Sequence, residues 1–166
     1  MDEKMKNKEI KEIYEGLQQV SGNIQGVRIN YAISRTIRHL KPIAESLDDA
    51  IKPSEQYIEF EQKRVEMMEK YCDRDDKGNP MKEVIGKSVQ YSITQKLGQF
   101  QKALETLSKP YKKAIAQREK QIADYALLLE KECEETVKLH MISLDDVPET
   151  ITRENFRRIE ILIQEE

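Results

Sequence analysis

The sequence predicts an α+β fold that is mainly α: long antiparallel helices packed as a bundle, a small two- or three-stranded sheet at one end, and a short C-terminal helix. Three observations predict it. The chain is 36% charged and 38% hydrophobic with few Gly or Pro and no Trp, the profile of a long-helix protein. Apolar residues recur at helical spacing through most of its length. Two short runs instead alternate apolar and polar, the period of a half-buried strand. At 166 residues the chain predicts a single domain, 1–166.

Residues 1–21 form the N-terminal helix. Ile10, Ile13, Leu17 and Val20 share one face, and Ser21-Gly22 ends it. The second helix, Val27–Ile51, is the most informative stretch. Ile29, Ile33, Ile37, Leu40, Ala44, Leu47 and Ile51 fall in one apolar sector at about 100° per residue. Pro42 removes a backbone donor and predicts a kink without changing the phase of the stripe. Pro53 closes this helix and Ser54 caps the next, in which Tyr57, Phe60, Val65, Met68 and Tyr71 recur. Together, residues 27–72 read as a helical hairpin.

Asp73–Pro80, DRDDKGNP, is turn chemistry. Residues 81–94 are the strand region: Val89, Tyr91 and Ile93 alternate with Ser88, Gln90 and Ser92, and Val84-Ile85 can supply a short partner. A second alternating run carries Val137, Leu139 and Met141. The two runs are expected to pair, because an isolated hairpin is marginal in water. Residues 95–134 read as a long helix, capped by Thr94 and kinked or restarted at Pro110. Within it Tyr111, Ile115, Ile122, Tyr125 and Leu129 stand at near-heptad spacing. That seam fits an internal hairpin or a dimer face, the internal one being favoured because the neighbouring helices also need a partner. Residues 136–166 hold the late strand and a last helix with Thr152 as cap and Phe156, Ile159, Leu162 and Ile163 as its apolar side.

Several chemistries are excluded. The turn Asp73, Asp75, Lys77, Gly78 begins like a calcium loop but has Lys77 and Val84 where oxygen ligands are needed. Gly86-Lys87-Ser88 resembles the end of a phosphate loop, but Met81 replaces its first glycine and a strand follows. Cys72 and Cys133, sixty-one residues apart, have no metal or disulfide spacing and read as reduced thiols. His39 and His140 are the only histidines and read as structural. Glu134-Glu135 and Glu165-Glu166 are solvated charge runs. The charged N-terminal stretch MDEKMKNKEIKE has no apolar core of a secretory signal, and no run reaches membrane-spanning length. The expectation is a non-enzymatic protein of the cytoplasm, with no cofactor and no membrane or duplex nucleic acid as partner.

One surface departs from what folding alone requires. Arg28, Tyr31, Arg35 and Arg38, spaced i, i+3, i+7, i+10, cluster opposite the apolar stripe of the second helix. No Asp or Glu occurs from Gly16 to Ala44, where about five are expected at the chain's average acid content. Arginines fork onto phosphate or carboxylate, and a tyrosine ring offers a stacking surface. The set suits an anionic, nucleotide-like small molecule or an acidic patch on a partner protein, with Tyr91 joining from the strand region or from another subunit of a homo-oligomer. The simpler alternative is a solvent face whose arginines pair with glutamates of a neighbouring helix.

The run Gly26-Val27…Tyr31-Ala32…Arg35, the turn Asp76-Lys77-Gly78-Asn79-Pro80 and the late Val147-Pro148-Glu149-Thr150-Ile151-Thr152 resemble a group of small helical proteins of tailed phages and prophages. The resemblance spans most of the chain and rests on short motifs, none of them catalytic. It implies a setting, a bacterial cytoplasm during infection, and two roles. One is a counter-defence protein that binds a host immune protein or sequesters its nucleotide signal. The other is a structural accessory in particle assembly with no small ligand. It carries no functional residues over to this chain.

Overall fold

The computed structural model describes residues 2–86 and 88–164. Lys87, Glu165 and Glu166, on which the phosphate-loop and final charge-run readings fall, lie outside the described residues. The fold is α+β and mainly α. Its helices are α1 (Asn7–Val20), α2 (Val27–Ala50), α3 (Glu55–Tyr71), α4 (Leu97–Glu130) and α5 (Arg153–Ile159). Its strands are β1 (Asp2–Glu3), β2 (Lys82–Ile85), β3 (Ser88–Tyr91) and β4 (Val137–Lys138). The single domain expected from length is built of two compact units, Met1–Lys52 with Ala123–Glu166, and Pro53–Ile122.

The first unit holds the apolar core. Ile10, Leu17 and Val20 of α1 meet Ile29, Ile33, Leu40 and Leu47 of α2, and Val137, Ile159 and Leu162 complete the cluster. The stripe on α2 is wider than its isoleucine-leucine reading: Ala32, Thr36 and Ile43 are also buried, while Ile37 is half-buried. A sector of this width is the ordinary consequence of packing against more than one element. α2 runs unbroken through Pro42, and the chain enters it at Gly26, whose φ of 123° suits only glycine. A Cβ there would stand 3.0 Å from the Ile29 side chain.

The short N-terminal strand, not foreseen in the sequence, explains what β4 pairs with. Asp2 and Glu3 pair antiparallel with Lys138 and Val137. The same edge continues inward: the Cys133 amide donates to the Met5 carbonyl at 2.8 Å and the Asn7 amide to that of Lys131 at 3.0 Å. Asn7 is buried, and its side-chain amide donates to the Leu128 carbonyl at 2.9 Å. Val137 and Leu139 are buried as the alternation predicts. The expected pairing of this run with residues 88–93 does not occur. β3 pairs with β2 in the register Lys82↔Tyr91 to Ile85↔Ser88. A hairpin between adjacent segments closes the shortest loop, and Gly86, at φ 62°, supplies the turn.

The second unit is α3 and the first part of α4 lying antiparallel, with the β2–β3 hairpin between them in sequence. Within this unit α3 packs on α4, as α2 packs on α1 within the first. The seam is a heptad. Tyr57, Phe60, Arg64, Met67 and Tyr71 on α3 and Phe100, Leu104, Leu107, Tyr111, Ala114 and Arg118 on α4 alternate spacings of three and four. Ring centroids of Phe60 and Tyr111 are 5.6 Å apart, and those of Tyr71 and Phe100 6.2 Å. The seam thus runs through Ala114 and not through Ile115 and Ile122 as the sequence reading placed it. α4 continues through Pro110 as one helix.

Asp73 organises this unit's turn. Its buried carboxylate accepts from the Thr94 amide at 2.9 Å, the Thr94 hydroxyl at 2.7 Å, the Gln95 amide at 3.1 Å and the Ser92 hydroxyl at 3.1 Å. These bonds hold the carboxyl below the usual carboxylate range, the Thr94 hydroxyl contributing most. Asp75 closes the DRDDKGNP turn by accepting from the amides of Lys77 and Asn79 at 2.9 and 2.8 Å. Asp73 thus ties the start of the turn to residues 92–95, and Asp75 braces the turn from within. Among the described residues no group of three or more His, Cys, Asp or Glu is placed to hold a metal, and no helix is long and apolar enough to cross a membrane.

Candidate functional site

The basic face of α2 forms one wall of a pocket of about 390 Å³. Its other wall is the segment that follows β4. Val27, Arg28, Tyr31 and Ala32 face His140, Met141, Ile142, Ser143 and Asp146 across it. That volume is within the range of small-molecule sites. The second wall is held in three ways. The Ile142 amide donates to the Leu162 carbonyl at 2.8 Å, the Ser143 hydroxyl accepts from the Asp145 amide at 3.3 Å, and the His140 amide donates to the Thr36 hydroxyl at 3.1 Å.

The four residues of the α2 face meet different fates. Arg28 donates to the Asp146 carboxylate at 3.1 Å across the pocket mouth. Tyr31 is 63% exposed, its ring open to solvent at the rim. The Arg35 guanidinium lies 6.0 Å from the Tyr31 ring centroid, the outer range of a cation–π contact. Arg38 is exposed further along the helix and is not in the pocket lining. Among the described residues Arg35 and Arg38 have no carboxylate partner, so pairing with a neighbouring helix accounts for Arg28 alone. Tyr91 is in the other unit, where β3 sets it opposite Lys82.

Histidine is what the sequence reading missed. His140 lines the pocket, and its imidazole is held below the ordinary histidine range by burial first, then by the charges of Arg35, His39 and Lys138. His39 is anchored next to the same segment, with its Nε2 3.2 Å from the Thr136 carbonyl. Both histidines of the chain thus stand with Arg35 in one cationic neighbourhood. No spacing in the sequence announces this, since one hundred and one residues separate them. The usable signal was the alternation of residues 137–140, which turns His140 away from the buried side that Val137 and Leu139 occupy and which breaks at Ile142, itself buried.

Thr36 is the other residue the periodicity hid. It is fully buried on the apolar face of α2, and its hydroxyl is the acceptor for the His140 amide. Thr36→Val keeps the shape and removes that acceptor. We expect a loss of about 1–2 kcal/mol in unfolding free energy by urea titration, with the His140 amide exchanging faster, and near-native behaviour for Thr36→Ser.

No family model matches the chain, and neither curated proteins nor solved structures give a significant match. The site is therefore read from its own chemistry: an open pocket with Arg28, paired to Asp146, and an exposed aromatic ring on one side, a half-buried histidine on the other, apolar Ala32, Met141 and Ile142 between them, and Arg35 beside the ring but outside the lining.

Proposed function

We propose that this is a non-enzymatic, phage-encoded binding protein of the bacterial host's cytoplasm that takes an anionic, nucleotide-like ligand on the α2 face. In that role it would sequester a nucleotide immune signal or block a host defence protein. The observation that carries the reading is Arg35, held against the Tyr31 ring beside His140 with no carboxylate partner among the described residues. A guanidinium left unneutralised beside a ring that lines a pocket, the ring able to stack on a base, is what phosphate-plus-base recognition uses. Arg28 contributes once an anion competes for it with Asp146, and Arg38 extends the same positive field.

Calorimetric titration with cyclic and ADP-ribose-type nucleotides tests this. Saturable heat is the expected result, and none with any of them ends the proposal. His140 adds a pH signature. Its pKa is lowered in the free protein, so the neutral imidazole contributes stability that is present above the ordinary histidine range and lost as pH falls below that range through the lowered value. A bound anion has the opposite effect. It offsets the charges of Arg35 and Lys138 and favours the imidazolium, so affinity rises as pH falls through the histidine range, tenfold for each unit by which the pKa is raised. A phosphodiester ligand keeps its own charge over that range, and His140→Asn should flatten the profile.

A second reading, a structural accessory in phage particle assembly without a small ligand, is favoured by one observation. Val84 and Val89 pair across the β2–β3 hairpin with their side chains uncovered, Val84 being 66% exposed. An uncovered two-stranded hairpin is a ready docking element. Co-purification with capsid or tail components from infected cells distinguishes this reading from the first.

A further inference from the structure

We infer that Asp146 is an internal competitor for the anion site: its carboxylate holds Arg28 in the free protein, and a ligand's anionic group displaces it. The inference rests on reading the α2 face as an anion site and adds how that site is regulated. Asp146 is the one carboxylate in the pocket lining, and the Arg28 guanidinium donates to it at 3.1 Å. The two partners are unequally placed. The Arg28 side chain is 81% exposed and that of Asp146 only 21%. Asp146 closes a single 3-10 turn, Leu144–Asp146, with its amide donating to the Ser143 carbonyl at 3.1 Å. On one side of this turn Ile142 is buried, and on the other Val147 packs on the core. The acid is thus the fixed member of the pair, and the arginine is the one free to turn to another anion.

The surroundings show why a carboxylate is held there. The first turn of α2 contains no acid, and no side chain caps it, so the positive end of a 24-residue helix lies beside the charge of Arg28. Asp146 brings a negative charge to that point from 118 residues along the chain. Its backbone is close as well: a Cβ on Gly26, the N-cap of α2, would stand 3.9 Å from the Asp146 carbonyl oxygen. With this carboxylate on Arg28 the chain does for itself what a ligand's phosphate would do. Such a pair is weak, since a solvated guanidinium is screened by salt and loses little by changing partners. A phosphoryl group offers Arg28 a fork of oxygens and competes for it directly. Asp146 therefore lowers affinity without closing the site, and it sets the concentration at which an anion takes Arg28.

Inorganic pyrophosphate, which carries charge and no base, tests the competition apart from nucleotide recognition. Titration of the full chain, followed by the amide resonances of residues 27–32, is expected to saturate. Asp146→Asn should bind about fivefold tighter, the scale of one exposed ion pair. Asp146→Ala, which also removes the acceptor, should gain at least as much. In an Arg28→Ala background the same Asp146→Asn change should gain less than about twofold, because the contact it releases is already gone. An unchanged affinity in Asp146→Asn, an equal gain with and without Arg28, or no pyrophosphate binding to any of these proteins overturns the inference. If the gain appears and no nucleotide binds, the competition stands and the nucleotide reading falls. If nucleotides bind the wild type, and neither they nor pyrophosphate gain in Asp146→Asn, the nucleotide reading stands and the competition falls.

Discussion

Arg35→Ala is expected to reduce nucleotide affinity by about ten- to a hundredfold, the equivalent of one charge-assisted, forked contact worth about 1.5–3 kcal/mol. The argument rests on contrast with its neighbour. Arg28 already donates to Asp146, so an anion must compete for it, and what it gives to the ligand is offset by what it gives up. Arg35 gives up only an exposed contact with the Tyr31 ring, worth about 0.5–1 kcal/mol. Arg28→Ala should therefore cost less than Arg35→Ala. Arg35→Lys should fall between wild type and alanine, since a lysine keeps the charge and loses the fork. Because Arg35 is exposed, the thermal midpoint should move little. Calorimetry on the three variants checks the order, and an Arg35→Ala protein that binds as wild type removes this residue from the site.

Much of this fold is legible in the sequence, and the failures have physical causes. The helices α2 and α3 and the caps Ser54 and Thr152 were readable because a period of 3.6 and a hydroxyl before it are local properties. Pairing is not local. Residues 88–91 and 137–138 both read as strands; the first found the short partner at Val84-Ile85 that the pattern offered, but the two did not pair with each other and 137–138 met a strand the pattern did not name, because period says which face is apolar and nothing about which edge it meets. β1 has two residues, too few to show any period. Asp73 read as a turn residue when its carboxylate caps the approach to α4 from twenty-one residues away. The candidate site divides the same way. Arg28, Tyr31 and Arg35 stand on one helix and were visible as a face. His140 reaches them through tertiary packing, and Tyr91, proposed from its type alone, is in the other unit.

Leu40→Ala is expected to cost about 2–5 kcal/mol of stability. Against the roughly 5–15 kcal/mol that holds a domain of ordinary stability, this is a large fraction. Leu40 and Ile37 are adjacent members of the same stripe, and the sequence gives no reason to rank them. Packing does. Leu40 is fully buried in the core of the first unit, so truncation removes its transfer energy and leaves a cavity. Ile37 is half-buried and packs on that cluster from its edge, where solvent can fill what is removed, so Ile37→Ala should cost only about 1 kcal/mol. Urea denaturation followed by dichroism measures both, and equal losses would mean that the stripe, not the tertiary core, sets the energetics. The comparison reaches the site as well. α2 carries Leu40 on one face and Arg35 on the other, so a loosened core releases the helix that holds the cation beside Tyr31. Nucleotide affinity in Leu40→Ala should then fall although no ligand-facing atom has been changed, while Ile37→Ala, for all its proximity to Arg38, should leave it intact.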